Sequence, residues 1–247
     1  MGSTWLCIPS KRPIYEAGQV FAKWREMGYS VCIQVDEDSS VMAAEGFLVV
    51  RRKYQGYAEA VNYLSRAVLS WDPSCDWIVA AGDDTLPDPN KRAEQIAEEL
   101  TAHFSLNELG FKCPWKSGTF GVCQPTGDPW SDRRGRIIER IAGSPWLGRE
   151  WCLRANQGKG PLWPGFFHCW ADECLQLVAQ QLGVFWQRPD ICHHHANWGR
   201  PKEGERLGHA ANMPQFLAHA YSEKVTTADK KEFDRLKADG WKECLPL

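Results

Sequence analysis

The sequence predicts an α/β protein built on a mostly parallel central sheet with helices on its faces. Three observations carry this. Short apolar runs alternate with segments of helical periodicity along residues 1–105, at spacings that suit right-handed crossovers. One of those runs, residues 77–81, ends abruptly in Gly82-Asp83-Asp84 and a turn marked by Pro87. Beyond residue 105 the texture changes to a loop-rich stretch dense in Trp, Gly and Pro.

The elements follow in order. Residues 4–8 read as a first strand, stopped by Pro9-Ser10-Lys11-Arg12-Pro13. Over 15–27 the apolar Val20, Phe21, Trp24 and Met27 recur at helical spacing, and Gly28 ends the helix. Residues 29–35 form a second strand running into Asp36-Glu37-Asp38, and 47–50 a third. A second helix covers 57–69, a fourth strand 77–81 and a third helix 90–103. Helical periodicity returns in 131–141 and in 171–182, which Gly183 ends, and 184–186 read as a further strand. The last segment, 226–237, is a charged amphipathic helix with Thr226 and Asp229 as a capping pair.

At 247 residues and a formal net charge of −2, the chain can bury a sizeable core beneath a mixed-sign surface. No apolar stretch approaches the roughly 20 residues that span a bilayer. Residues 1–13 hold no secretion-signal core, and Leu6 stands where a myristoylation motif wants Ser or Thr. The 10 cysteines are irregularly spaced, without a Cys-x-x-Cys. Reduced, mostly buried thiols in a cytoplasmic setting are therefore expected. Cys169, Cys174, Cys192 and the run His193-His194-His195 are material for a zinc site, at no standard zinc spacing.

Carboxylates at the carboxyl end of a central strand sit where open α/β sheets bind ligands. The pair Asp83-Asp84 suits Mg²⁺ or Mn²⁺ shared with substrate phosphates, a solvated turn being the other reading. Four features, in order over about 80 residues, resemble the nucleotide-sugar domain of GT-A-fold glycosyltransferases, in particular family-2-like enzymes. The first strand leads into Ile8-Pro9-Ser10-Lys11-Arg12, where that family holds the nucleotide. The second ends in Asp36, where a carboxylate usually reads the nucleobase. Tyr54-Gln55-Gly56-Tyr57-Ala58-Glu59-Ala60-Val61-Asn62 is similar to the family's Gly-x-x-x-Ala-x-Asn helix start. Gly82-Asp83-Asp84 is similar to its metal-binding Asp-x-Asp motif, with Gly82 in place of the first acid.

The resemblance implies a GT-A-like, Rossmann-type domain. Residues 1–105 are then a nucleotide-sugar-binding half, 106–215 an acceptor-binding and catalytic half, and 216–247 a C-terminal helical tail of one continuous domain. It places Pro9, Ser10, Lys11, Arg12, Asp36, Gly56, Asn62 and Asp83 on the donor, and Asp84 on Mn²⁺ or Mg²⁺. Gly165-Phe166-Phe167-His168-Cys169-Trp170-Ala171-Asp172-Glu173 resembles the acceptor-side segment, in which one acid of inverting members takes the proton of the acceptor hydroxyl. Asp172 is the first choice, Glu173 the alternative, and capping of the helix the competing role for Asp172. The family often completes metal coordination with a histidine after the following strand, and His194 is preferred to His193 and His195.

The expected activity is metal-dependent sugar transfer from a UDP-linked rather than GDP-linked donor to a hydroxyl, with inversion. A held and neutralised diphosphate is the leaving group, and Lys11 and Arg12 add positive charge beside it. Between Lys112 and Lys159 the basic residues Lys112, Lys116, Arg133, Arg134, Arg136, Arg140, Arg149, Arg154 and Lys159 exceed the acids by five. Trp115, Trp130, Trp146 and Trp151 are interleaved with them. Such a surface suits an anionic chain whose bases stack, for instance DNA bearing 5-hydroxymethylcytosine, the acceptor of bacteriophage DNA-modifying glycosyltransferases. That acceptor would place the protein in a host cytoplasm. A glycan or protein acceptor is the alternative, since tryptophan also lines carbohydrate sites and cores. Beside the glycosyltransferase reading, the rivals are a nucleotidyltransferase, whose Gly-rich phosphate loop is missing, a degenerate sugar binder, and a non-catalytic nucleic-acid-binding Cys/His zinc module.

Overall fold

Strands β1 (Ser3–Pro9), β2 (Ser30–Val35), β3 (Phe47–Arg51) and β4 (Cys75–Ala80) alternate with α1 (Ile14–Glu26) and α2 (Tyr57–Trp71) in a computed structural model. It describes residues 2–39, 47–105, 118–128, 141, 143–196, 198 and 213–246. After β4 come β5 (Thr85–Leu86), α3 (Ala93–Ser105), β6 (Val122–Pro125), β7 (Trp146–Gly148) and α4 (Arg149–Gly158). The chain continues through α5 (Ala171–Gln181), β8 (Phe185–Arg188), β9 (His194–His195), a 3-10 turn at Gln215–Leu217 and α6 (Glu223–Ala238). Seven strands form one sheet in the order β3-β2-β1-β4-β7-β6-β8, and β5 pairs with β9 in a second. β1 is parallel to β2 and β4, β2 to β3, and β6 to β8, whereas β7 runs antiparallel to both β4 and β6. The chain is therefore α/β with a mostly parallel sheet flanked by helices, the class its sequence predicts.

The strands read as unbroken apolar runs because both faces are covered. Trp5, Cys7, Ile78 and Ala80 join one core with α2, α4, α5 and α6. Leu6, Ile8, Trp77 and Val79 join the other with α1 and α3. Each such large side chain, fully buried, contributes about 1.5–3 kcal/mol. The chain winds outward from β1 through β2 to β3, then returns to lay β4 on the other side of β1. The carboxyl ends of β1 and β4 thus flank the crevice where the winding reverses.

Several expectations need correction. α3 starts at Ala93 because the Asp88 carboxylate accepts the N–H groups of Asn90 (2.7 Å) and Lys91 (3.1 Å), holding them in a turn. α6 starts at Glu223, so Thr226 lies a turn inside it, its Oγ1 donating to the Ser222 carbonyl at 3.1 Å. Asp229 is no cap; it is buried and faces the loop before α5. β6 and β7 are four and three residues long, below what periodicity can register. The expected helix at 131–141 lies, apart from residue 141, outside the described residues. No helix among the described residues is long and apolar enough to cross a membrane.

Candidate functional site

A cavity of about 690 Å³ lies at the crevice, lined from β1 by Pro9, Ser10, Lys11 and Arg12, from β2 by Gln34 and Asp36, and from β4 by Gly82, Asp83 and Asp84. Phe167, His168, Ala171 and Asp172 line it from the start of α5, together with His195 of β9 and the segment from Phe216 to Tyr221. Lys11, Arg12 and Lys53 share the cavity with Asp36, Asp83, Asp84 and Asp172.

The acids after β4 are tied to the basic loop after β1. Asp83 accepts from Ser10 Oγ and Arg12 Nε, each at 2.8 Å. Arg12 Nη2 also lies 3.6 Å from Asp84 Oδ2, and Asp84 Oδ1 is 3.2 Å from His195 Nε2. Burial pushes the Asp84 carboxyl up, but the hydrogen bond and charge of His195, with Arg12, outweigh it and hold the group below the ordinary range. The Arg12 guanidinium is lowered by burial and raised by Asp83 and Asp84, ending above its usual value. A Cβ at residue 82 would stand 2.6 Å from Asp84 Oδ1, so glycine there leaves Asp84 room to face His195. Lys11 and Asp36 form an exposed ion pair at 3.4 Å.

His195, not the preferred His194, faces the metal-candidate acid. β9 pairs antiparallel with β5, setting Thr85 opposite His195 and Leu86 opposite His194. Side chains alternate across a strand, so neighbouring histidines point apart. His194 is exposed, and His193 is buried with its Nδ1 2.9 Å from Ser144 Oγ. The backbone fastens the register: Ala196 N–H donates to the Asp84 carbonyl at 2.8 Å.

Asp172 sits in the first turn of α5, half-buried in the cavity, one of its oxygens accepting the Glu173 N–H at 3.0 Å. Burial raises its carboxyl above the ordinary range against the pull of those backbone bonds and His195. Glu173 does not line the cavity. The loop before Asp172 is held through its backbone. Asp229 accepts the N–H groups of Phe167, His168 and Cys169, and the Phe167 carbonyl accepts from Tyr57 N–H at 2.5 Å. Gly56 (φ 112°) serves that contact, since a Cβ there would lie 2.6 Å from the Phe167 carbonyl oxygen. Asn62 is also turned to packing rather than to the cavity. Its amide donates to the Leu162 carbonyl at 2.8 Å and accepts the Leu162 N–H at 2.9 Å.

No family model matches the sequence, and no curated protein does. Solved structures do. The catalytic domain of Drosophila β1,4-galactosyltransferase 7 in complex with xylobiose is similar over 91% of this chain and 81% of that one, at 13% identity and a TM-score of 0.45. A mutant of that enzyme in complex with manganese, UDP-Gal and xylobiose is similar over 87% and 78%, at 12% identity and 0.43. A glycosyltransferase involved in glycosylating the major capsid of PBCV-1 matches over 60% and 61%, at 10% identity and 0.33. At such identities the chemistry of this chain has to be read from its own side chains.

Asp84 and His195 offer a carboxylate oxygen and an imidazole nitrogen to one point, a donor set Mn²⁺ accepts. Among the described residues no group of three or more His, Cys, Asp and Glu is placed to hold a metal ion. A divalent ion on this pair would take its other ligands from diphosphate and water, the usual arrangement in phosphate-transfer sites. Cys169, Cys174 and Cys192 are not gathered for zinc; Cys174 lies instead beside Cys244, sulfur to sulfur 4.0 Å.

The sequence reading missed the cavity's aromatic wall, in which Tyr54, Tyr57, Phe167, His168, Phe216 and Tyr221 come from three separate segments. His168 packs edge-on against Tyr221 at 4.8 Å and Tyr57 at 6.2 Å, and burial lowers its imidazole. It also missed Gln34, two residues before Asp36 on the same strand face. Gln34 is buried, its Nε2 is 3.5 Å from the Arg52 carbonyl, and its Oε1 has no partner among the described residues. The basic, aromatic surface is altered. Trp146 and Trp151 are 0% and 1% exposed, so neither can stack a base, and Arg154 is paired with Glu150 at 2.6 Å. Lys112, Lys116, Trp115, Trp130, Arg133, Arg134, Arg136 and Arg140 lie outside the described residues.

Proposed function

We propose that this chain transfers a sugar from a nucleoside-diphosphate donor to an acceptor hydroxyl, with help from Mn²⁺ or Mg²⁺. One observation carries the reading: a single cavity at the β1/β4 crevice holds the basic loop, Asp36, the Asp84–His195 pair and the half-buried carboxylate Asp172. Ser10, Lys11 and Arg12 would lie along the diphosphate, with Asp83 fixing Ser10 and Arg12 in place. An ion held by Asp84 and His195 would supply Lewis-acid stabilisation of the departing diphosphate. Asp172 accepts the acceptor's proton, and its raised pKa brings it closer to neutral pH, where a general base works best. A single base acting on the acceptor implies in-line attack and inversion.

Two finer points follow. The Arg52 carbonyl orients the Gln34 amide, leaving Oε1 as an acceptor. Uracil offers it an N3–H donor, as guanine offers its N1–H, so both UDP- and GDP-linked sugars fit, with the UDP-linked ones tried first. The aromatic wall beside Asp172 suits a stacked sugar ring, so a glycan hydroxyl is the first acceptor to try. Hydroxymethylated DNA is the second, on the strength of the basic section alone.

The test is nucleoside-diphosphate release from a panel of UDP- and GDP-sugars with Mn²⁺, in the presence of glycans, of 5-hydroxymethylcytosine DNA, or of neither. Metal-dependent release lost in Asp84→Asn supports the transferase, and stimulation by one acceptor class selects it. Absence of both release and donor binding sinks the reading.

A further inference from the structure

The residue that shapes the acceptor side of the cavity comes from the chain's last α-helix. Asp229 of α6 is 2% exposed, and its two oxygens take three consecutive backbone donors. Phe167 N–H reaches Oδ1 at 2.8 Å, and His168 and Cys169 N–H reach Oδ2 at 2.9 and 2.8 Å. Successive N–H groups converging on one point form a backbone nest for an anion. Here the anion is internal, supplied 60 residues further along the chain. Charge-assisted bonds of this kind are roughly twice as strong as neutral ones, and burial keeps water from replacing them.

The loop so gripped runs straight into the proposed chemistry. Phe167 and His168 line the cavity, Trp170 turns the chain in a left-handed conformation (φ 68°), and Ala171 and Asp172 follow at the start of α5. Only the N–H side of the loop depends on Asp229; its carbonyls are held by Tyr57 and, through Trp170, by Cys174. α6 is itself anchored, with Trp163 Nε1 donating to Glu232 at 2.8 Å and the Phe233 ring 5.1 Å from that of Trp170.

We infer that Asp229 is a positioning residue for the transfer step: its carboxylate fixes the 167–169 backbone and thereby the placement of Asp172 and the acceptor wall. This rests on the glycosyltransferase reading with Asp172 as base. Asp229 touches neither donor nor metal candidates, so its loss is expected to act on turnover rather than on donor binding. Asp229→Asn preserves size but turns an NH₂ group toward a backbone N–H, opposing one of the three bonds. Misplacement by about 1 Å can cost on the order of 10²-fold in rate.

The experiment compares wild type, Asp229→Asn, Asp229→Ala and Leu236→Ala, the last removing a buried α6 side chain that makes none of the loop's hydrogen bonds. UDP affinity is measured by calorimetry, and kcat and KM with the UDP-sugar that wild type cleaves fastest. Asp229→Asn is expected to bind UDP within about twofold of wild type and keep its KM, while kcat falls at least about tenfold. Leu236→Ala is expected to keep kcat despite a comparable fall in Tm, and formate to restore part of the kcat of Asp229→Ala. Wild-type kcat in Asp229→Asn, or an equal loss in Leu236→Ala, overturns the positioning role while leaving the transferase standing. A wild type that neither binds UDP nor cleaves a UDP-sugar overturns the transferase reading, and the positioning role with it.

Discussion

His193 gives the fold a calculable sensitivity to acid. Its ring is 2% exposed, edge-on to Trp24 at 5.0 Å and bonded to Ser144, and burial brings its pKa down to about 3 from 6.5. The folded value lies below the unfolded one, so the folded chain keeps this histidine neutral. At pH 7 both states are largely neutral and little is lost. As pH falls through 6.5 the unfolded chain takes up a proton that the folded chain refuses, and stability drops until the pH nears 3. Between pH 7 and pH 5 the loss comes to about 2 kcal/mol, and a folded pKa one unit higher barely changes it. For a chain this size that corresponds to roughly 4–8 °C in Tm. The assay is guanidinium unfolding of wild type and His193→Gln at the two pH values. The glutamine does not titrate, and carboxylates common to both proteins cancel in the difference. Wild type should lose about 2 kcal/mol more than the variant over this interval. Equal losses, or an NMR titration of His193 above pH 5, would refute the reasoning.

The histidine register gives a second prediction: His195→Ala should weaken Mn²⁺ binding at least about tenfold while His194→Ala leaves it unchanged, as read by Mn²⁺ electron paramagnetic resonance. Asp172 must be ionised to act as base, so kcat for UDP-sugar cleavage should fall on the acid side, with its midpoint above the ~4 of an ordinary aspartate. Asp172→Asn should lower kcat by about 10²–10⁴-fold and remove that limb. Asn62→Leu should cost about 1–3 kcal/mol for each Leu162 backbone group left without its partner, lowering Tm while calorimetric UDP affinity stays within about twofold.

The first half of the fold was legible because its signals are local. The apolar run ending in Asp83-Asp84 and the spacing of Phe21 and Trp24 lie within single windows of sequence. β7 was not legible, because three residues become a strand only by sliding antiparallel between β4 and β6. The same division holds for the site. Ser10, Arg12, Asp83 and Asp84 sit at the ends of readable strands and come together at the crevice, bonded to one another. Which histidine faces Asp84 depends on the pairing of Thr85 with His195, a relation between segments 110 residues apart. Thr226 and Asp229 carry the spacing of a cap, yet the helix starts earlier, at Glu223, and tertiary bonds turn the carboxylate inward. The aromatic wall has no linear signature, since packing alone brings Tyr54, Phe167, Phe216 and Tyr221 together.

The grip of Asp229 on the 167–169 backbone also sets an order of assembly. A growing chain emerges from its amino end, so the loop after β1 and the acids after β4 exist long before α6. Translation at about 5–20 residues per second separates Asp83 from Asp229 by roughly 7–30 s. During that interval the stretch leading to Asp172 is still without its internal anion, so the 167–169 backbone is expected to settle only after α6 has been made.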